Sequence, residues 1–370
     1  MADRQAVSLA GDGVAKFKTR RILYNDDGDT SMCAKKGVKA PPGTAITVDD
    51  MKAIVAEIAG PGSQVDTLLV CINAQCAYYP SRIGDLRGSL VEPKERETWP
   101  VYEQQRFRNM SAMLAKGDDP YAALLAEAKR RGMEALLTFR MNDAHGCKYL
   151  YCRLWLGHPE CRLGAGLDFS RDVVRDYTFR LIEEAVHRYD SDGIEMDFVR
   201  FPNFFQSGTE SERISHINAL VRRVRQMVDA EGKKRGKRLV LAARVPTSYS
   251  ECKRIGLDPV VWAKEGWIDF LTVSEFFNTR YDLPVKPWKA LIRQIPIYGS
   301  IEALTPATPE KPSAVMTPAD YRRAARHLWS DGADGIYLFN FFIPREVAGA
   351  PEPPFCVLKE LGDPKMLQPK

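Results

Sequence analysis

The sequence predicts an α/β fold, a single (β/α)8 TIM barrel with long loops at its C-terminal face, and three observations carry that prediction. Short apolar runs rich in β-formers alternate with segments of helical periodicity eight times along 370 residues, the order a parallel barrel requires. Polar and charged residues gather at the C-terminal ends of the runs, while the opposite ends are mostly apolar entries or turns. The fourth and eighth runs also echo each other. SDGIEMDFVRFP (191–202) and ADGIYLFNFFIP (333–344) share an Asp-Gly-Ile entry and a proline exit, as two half-barrels of four units would. A doubly wound open sheet is the competing arrangement of the same alternation.

The runs are residues 21–25 (RILYN), 66–73 (DTLLVCIN), 134–140 (EALLTFR), 193–199 (GIEMDFV), 238–244 (RLVLAAR), 268–274 (IDFLTVS), 295–300 (IPIYGS) and 335–340 (GIYLFN). Helices are expected between them. Residues 47–59 open with Thr47 three positions before Asp50, a capping box with Asp in place of Glu. Residues 119–131 have Asp119 as cap, Pro120 at the first helical position and Gly132 as stop. In 170–189, Val173, Val174, Tyr177, Leu181 and Ile182 form one apolar face; 211–231 and 317–330 are similarly amphipathic, and 259–264 and 286–294 are shorter. About 60 residues separate strands two and three, and 146–166 follow strand three; both read as loops that wall a cleft. The expected organisation is an N-terminal extension (1–20), the barrel (21–346) and a Pro-rich tail (347–370) with a last helix near 355–361.

Composition restricts the function classes. Hydrophobic residues at 45% and charged residues at 27% are values of a globular chain with a large core. A net charge of +5 is too small and too scattered for a nucleic-acid binder, and the densest basic run, KKRGKR (233–238), falls where a helix ends and cations are favoured. No apolar run reaches the roughly 18 residues of a membrane span, so a soluble chain is expected. The opening MADRQAVSLAGDG lacks the features of a signal peptide. The expected location is cytoplasmic as the sequence stands, and secreted or periplasmic if a signal peptide has been removed. Eight cysteines do not make a disulfide scaffold. Cys71 reads as core, and Cys147, Cys152 and Cys161, with His145 and His158 nearby, are not expected to hold a metal. No Gly-rich phosphate or dinucleotide motif follows a strand, and no cofactor is expected.

In a barrel the chemistry belongs at the C-terminal strand ends. Alternation puts Glu195, Asp197 and Val199 on one face of strand four and Ile194, Met196 and Phe198 on the other, so both acids point inward. Asp197, at the rim, is the expected nucleophile or base, with Arg200 or Arg140 keeping it ionised; Glu195, a layer deeper, is expected to support it. Thr138, Arg140 and Asn142 share an inward face, as do Ala242 and Arg244. In strand six Thr272 and Ser274 are the inward pair, which turns Glu275 outward unless the strand end bulges. Glu275, then Glu302 just after strand seven, then Asp143 are the candidates for a second carboxylate. Asn25, Asp26, Asn73, Arg140, Asn142, Asp143, His145, Glu195, Arg200, Arg244 and Asn340 complete the predicted site as binding residues.

On these residues the sequence resembles glycoside hydrolases of the (β/α)8 type, nearest to the glycosyl-hydrolase-like family-10 barrels. DGIEMD is similar to the strand-four signature of several families. Against family 18, Glu195 and Asp197 fall on the first two motif acids, but Val199 replaces the catalytic glutamate, which argues against chitinase-type catalysis. Against family 13, Asp197 falls on the nucleophile and Glu195 on that family's arginine. Against the α-galactosidase-like clan, DFVR resembles Asp-x-Asn-Arg, with Asp197 as nucleophile and the acid supplied by strand six, at Glu275. The resemblance implies a carbohydrate partner and a reaction that needs two carboxylates, one to protonate the leaving oxygen and one to attack C1 or activate water. Tyr78, Tyr79, Trp155, Phe204, Phe205, Phe276, Phe277, Phe341 and Phe342 are available for stacking on sugars, and Arg140, Arg200, Arg244 and Arg280 suit a sugar carboxylate or sulfate. Two alternatives compete: a catalytically silent carbohydrate-binding barrel, and a metal-dependent hydrolase using Asp26, Asp27, Asp143 and His145. The sequence leaves the oligomeric state open.

Overall fold

A computed structural model describes residues 18–39 and 44–367. Eight parallel strands close into a barrel: β1 (Ile22–Asp26), β2 (Val65–Cys71), β3 (Glu134–Arg140), β4 (Gly193–Asp197), β5 (Val240–Val245), β6 (Phe270–Val273), β7 (Ile297–Glu302) and β8 (Ile336–Phe339). Each strand pairs with its sequence neighbours and β8 pairs with β1, so the predicted barrel replaces the open-sheet alternative. The floor of the barrel is packed by inward residues of successive strands, among them Leu23, Leu69, Leu136, Ala242, Phe270, Tyr298 and Tyr337. The larger apolar layer lies outside, between strands and helices, and the outward Ile194 and Met196 belong to it.

The long helices are α1 (Val48–Ile58), α2 (Val101–Ala115), α3 (Pro120–Arg130), α4 (Asp172–Arg188), α5 (Glu210–Lys234) and α6 (Pro318–Ser330). Thr47 and Asp50 form the predicted capping box of α1, Asp119 accepts two N–H bonds at the start of α3, and Thr317 caps α6. The span between β2 and β3 departs from the prediction, because it contains α2. That helix buries Glu103, Gln105, Arg106 and Asn109 along with Met110 and Met113, so its core-facing stripe carries no apolar periodicity to read. Residues 286–294 form a helix only over Lys286–Leu291. Most of the expected N-terminal extension lies outside the described residues. In the tail, short 3-10 turns at Phe355–Lys359 and Pro364–Leu367 pack Val357, Leu358 and Leu367 inward. No helix among the described residues is long and apolar enough to cross a membrane.

One regularity fixes the strand register. At the foot of every even strand an aspartate accepts a backbone N–H from the preceding odd strand: Asp66 from Arg21 (3.0 Å), Asp192 from Ala135 (3.0 Å), Asp269 from Leu241 (2.8 Å) and Asp334 from Ile297 (2.7 Å). Asp192, Asp269 and Asp334 also donate their own N–H to the carbonyl of that same partner residue, which closes a two-bond ring. Each carboxylate has a cation: Arg21, Lys237, Arg225 with Arg238, and Lys289 respectively. The basic run 233–238 is thus partly spent on these feet. The Asp-Gly-Ile echo has the same origin, with a steric reason for its glycine: a Cβ at Gly193 would strike the carbonyl of Val240, and one at Gly335 the carbonyl of Arg20.

Candidate active site

Register places Arg140, Asp197 and Arg244 side by side at one level of the barrel, with Thr138, Glu195 and Ala242 one layer below. The parallel ladder and strand alternation are enough to aim all of them inward. Arg244 then joins acids from two strands. Its Nη1 donates to Asp197 Oδ2 (3.1 Å), and its Nη2 donates to Glu302 Oε1 (2.5 Å) and to Ser274 Oγ (2.7 Å). The guanidinium carbon lies 4.1 Å from the centroid of Phe339, which walls it from the side. The other oxygen of Asp197 accepts the Val199 backbone N–H at 2.9 Å.

Glu195 is held from two sides. Tyr337 Oη donates to its Oε1 at 2.7 Å and Thr138 Oγ1 at 2.9 Å, while Asn25 Nδ2 donates to Tyr337 Oη at 2.6 Å. Glu195 thus lies one layer below Asp197, where strand alternation puts it, with Tyr337 as its neighbour across the barrel. Parity in strand eight places Tyr337 beside the inward Phe339, a signal that reading only the strand end passes over. Arg244, Asp197 and Glu302 are 1–2% exposed and Glu195 is fully buried. Burial lifts the Glu302 carboxyl to about 7 against the pull of Arg244 and Arg200. Burial, reinforced by the charge of Asp197, lifts Glu195 to about 7 as well. Several buried polar atoms on the inner wall have no partner: Glu302 Oε2, Glu195 Oε2, Ser300 Oγ, Thr272 Oγ1 and Asn340 Oδ1. Among the described residues these acceptors and hydroxyls have no protein partner, so they are free to bond a polar guest.

The remaining predicted residues divide by what they touch. Arg140 is occupied: Nη1 donates to Tyr78 Oη (3.1 Å) and approaches Asp143 (3.4 Å), and Nη2 donates to the Asp27 carbonyl (3.1 Å). Against the effect of burial, the His145 ring at 2.8 Å and Arg140 hold the Asp143 carboxyl below its ordinary value. Asn73 bridges β2 to β3 through the backbone of Arg140, and Asn142 binds the backbone of Leu167 and Asn203, so both amides are engaged within the protein. Asp26 takes the Ser31 hydroxyl (2.7 Å) and the Gly28 N–H (2.8 Å) in a turn, where burial lifts it to about 6 despite the Ser31 bond.

Two expectations need correction. Asp197 takes its cation from Arg244, not from Arg200 or Arg140: Arg140, its registered neighbour on β3, is engaged by Tyr78, Asp143 and the Asp27 carbonyl, and Arg200 lies beyond the end of β4. Glu275 does not join Asp197. Strand six ends at Val273 and Ser274 turns in as parity requires, so the Glu275 side chain emerges 42% exposed with Arg280 as its distant partner at 3.9 Å. The reserve carboxylate, Glu302, stands in the cluster instead. The set proposed for a metal, Asp26, Asp27, Asp143 and His145, does not converge. Among the described residues no group of three or more His, Cys, Asp or Glu side chains is placed to hold an ion, the Cys147, Cys152 and Cys161 region included.

The rim above the cluster is strained. Phe201, Phe277 and Asn340, which follow β4, β6 and β8, have φ of 53°, 69° and 56°. Asparagine tolerates this region, but a bulky residue enters it only when the surroundings force it. Phe201 packs on Phe276 (5.4 Å between centroids) and Phe276 on Phe277 (4.3 Å). Beside them runs an open groove of about 390 Å³ lined by Phe201, Phe276, Asn142 and Asn203.

No family model and no curated protein matches the chain. Solved structures do. The chain is similar to the glycoside hydrolase domain of PgaB (BpsB) from Bordetella bronchiseptica, with a TM-score of 0.55 at 11% identity over 94% of this chain and 99% of that one. It is similar to the Group IV chitinase of Ostrinia furnacalis, at TM-score 0.51 and 10% identity over 92% and 97%. Chitinase ChiW of Paenibacillus sp. str. FPU-7 gives a TM-score of 0.53 at 11% identity over 94% of this chain. The chain spans 43% of ChiW and 49% of the α-L-fucosidase isoenzyme 2 of Paenibacillus thiaminolyticus, less than half of either. At these identities the likeness is one of fold: the chain has the (β/α)8 barrel that these glycoside hydrolases share.

Proposed function

We propose that the protein is a glycoside hydrolase that cleaves an oligo- or polysaccharide with Asp197 and Glu302 as its two carboxylates. The observation that carries this reading is Arg244, a single guanidinium bonded to both acids at the C-terminal end of the barrel. Glu302, lifted to about 7, is suited to hold the proton that the leaving glycosidic oxygen receives as the C1–O bond breaks. Asp197, oriented by Arg244 and the Val199 N–H, is suited to meet C1 from the other side, as nucleophile or as base for a water. Glu195, held by Tyr337 and Thr138, lies one layer below Asp197. Chitinases are among the similar folds, but the residue two past Asp197 is Val199, so the second acid of this reading comes from β7 rather than β4. Because both acids are about 2% exposed, substrate entry requires the aromatic rim to part.

The finer reading is an anionic glycan. Of the four arginines at this face, Arg140 and Arg244 are bound to protein acids and Arg280 to Asp282 (3.0 Å), which leaves Arg200 for a ligand. The near-complete burial of the Asp197–Arg244–Glu302 triad favours a second reading, a silent carbohydrate-binding barrel in which the triad is structural. Release of reducing sugar from a broad panel of neutral and acidic glycans separates the two. Turnover by the native chain that is lost in Asp197→Asn and Glu302→Gln supports the hydrolase; binding without turnover across the panel sinks it.

A further inference from the structure

Eight arginines are buried among the described residues, and seven of them hold a carboxylate within 4.0 Å. Arg200 is the eighth. It is 5% exposed, its Nε is buried without a hydrogen-bond partner, and no carboxylate pairs with it among the described residues. Three phenyl rings surround it instead, with centroids 5.2 Å (Phe277), 5.5 Å (Phe339) and 5.9 Å (Phe276) from its guanidinium carbon. Ring faces attract the cation but satisfy none of its five N–H donors. A buried Nε–H left without a partner is a cost that packing alone does not explain.

Its position gives the vacant donors a direction. Arg200 follows β4 three residues after Asp197, and its charge is felt by both Glu302 and Asp143 although it bonds to neither. The planar fork of a guanidinium binds carboxylate or sulfate through two parallel N–H bonds, a geometry that an ammonium does not reproduce. Phenyl walls exclude water from such a pair and strengthen it. Phe277, 42% exposed and held at φ 69°, lies over the guanidinium as the solvent-facing side of this cage.

We infer that Arg200 is the receptor for an oxyanion, carboxylate or sulfate, carried by the sugar that sits against Asp197 and Glu302, so that the substrate is an acidic glycan. This rests on the glycosidase reading and selects the substrate class within it. The test is binding by the full chain of D-glucuronate and D-galacturonate against D-glucose and D-galactose, with inorganic sulfate as competitor, followed by saturation-transfer NMR. The acids are expected to bind at least about tenfold tighter than their neutral counterparts, the difference that one bidentate pair supplies. Arg200→Met is expected to erase the difference and Arg200→Lys to keep part of it. Because Arg200→Met removes an unpaired buried charge, it is expected to melt no lower than the parent in the absence of ligand. The absence of both acid preference and sulfate binding, or an anion preference that survives Arg200→Met, overturns the inference. Sulfate bound without uronate and lost in Arg200→Met selects the sulfated form of the sugar. Hydrolysis confined to neutral glycans keeps the enzyme and removes the role of Arg200. Acid preference without turnover in any assay keeps the role of Arg200 and removes the enzyme.

Discussion

Two buried arginine–carboxylate clusters lie inside the barrel, one near each end, and they are built differently. At the foot, Arg20 meets Glu134 through two bonds of 2.6 and 2.9 Å, Thr67 adds a third donor at 3.1 Å, and Phe270 lies 4.7 Å from the guanidinium. One guanidinium meets one carboxylate, with Lys18 3.9 Å away as a second, half-exposed cation, and both carboxylate oxygens are paired. At the rim, Arg244 bonds to Asp197 and Glu302 while Glu195 waits a layer below and Arg200 acts on Glu302 only through space, so the acids outnumber the cations and two carboxylate oxygens stay unpaired. A plug that only closes a barrel is satisfied at the first stoichiometry. Burial and the surplus of acid at the second raise Glu302 and Glu195 to about 7, which in the proposed hydrolase suits a site of proton transfer.

The largest effect that tests this contrast is on turnover. Asp197→Asn is expected to lower kcat on a responsive glycan by about 10³-fold or more, whereas Arg20→Met leaves kcat within a few-fold. Equal losses in steady-state assays would erase the distinction between the two ends. Next comes stability: Arg20→Ala strands Glu134 in the barrel floor and is expected to cost about 3–5 kcal/mol in urea unfolding. A third prediction uses pH. With Glu302 as the acid, log kcat/KM should fall with unit slope above about pH 7, and a flat profile to pH 9 would take that role from Glu302.

Glu195 gives a stability counterpart. Its carboxyl is raised from 4.5 to about 7 in the folded chain, so its contribution is full below pH 4.5 and is lost as pH rises through 7. Glu195→Gln cannot suffer that loss, and its stability relative to the parent should rise by up to about 3 kcal/mol between pH 4.5 and pH 8.5 in denaturant melts. The smallest effect belongs to the strand feet. Asp334→Asn keeps an acceptor for the Ile297 N–H but loses charge against Lys289, for an expected cost of about 1 kcal/mol.

How far the sequence reaches is visible residue by residue. Strand parity was sufficient to aim Glu195, Asp197, Arg140, Arg244 and Ser274 inward and to warn that Glu275 faces out. It was insufficient to pair Asp197 with Arg244, because that needs the relative register of β4 and β5, which the Asp192 and Asp269 feet, lying within β3–β4 and β5–β6, do not set and which no local pattern announces. Helix α2 escaped for a different reason: its buried face is made of Glu103, Gln105, Arg106 and Asn109, which bond to other loops instead of packing apolar surface. Asn73 and Asn142 looked like ligand-binding amides at strand ends, yet the free backbone groups of neighbouring loops claim them first.

The aspartate feet carry one more consequence. They join β1 to β2, β3 to β4, β5 to β6 and β7 to β8, and among the described residues no carboxylate spans the four intervening seams in the same way. The barrel is therefore a ring of four doublets, each carrying its own alignment lock, while the intervening seams are joined by ladder bonds, packing and side-chain bonds such as Asn73 to Arg140, Thr67 to Glu134 and Arg244 to Asp197. Since closing a parallel barrel is a slow, long-range event, doublets that are already in alignment reduce it to four joins instead of eight. The catalytic candidates straddle the seams. Asp197 ends one doublet, Arg244 begins its alignment in the next and Glu302 belongs to the last, so the site comes into being only when the ring closes.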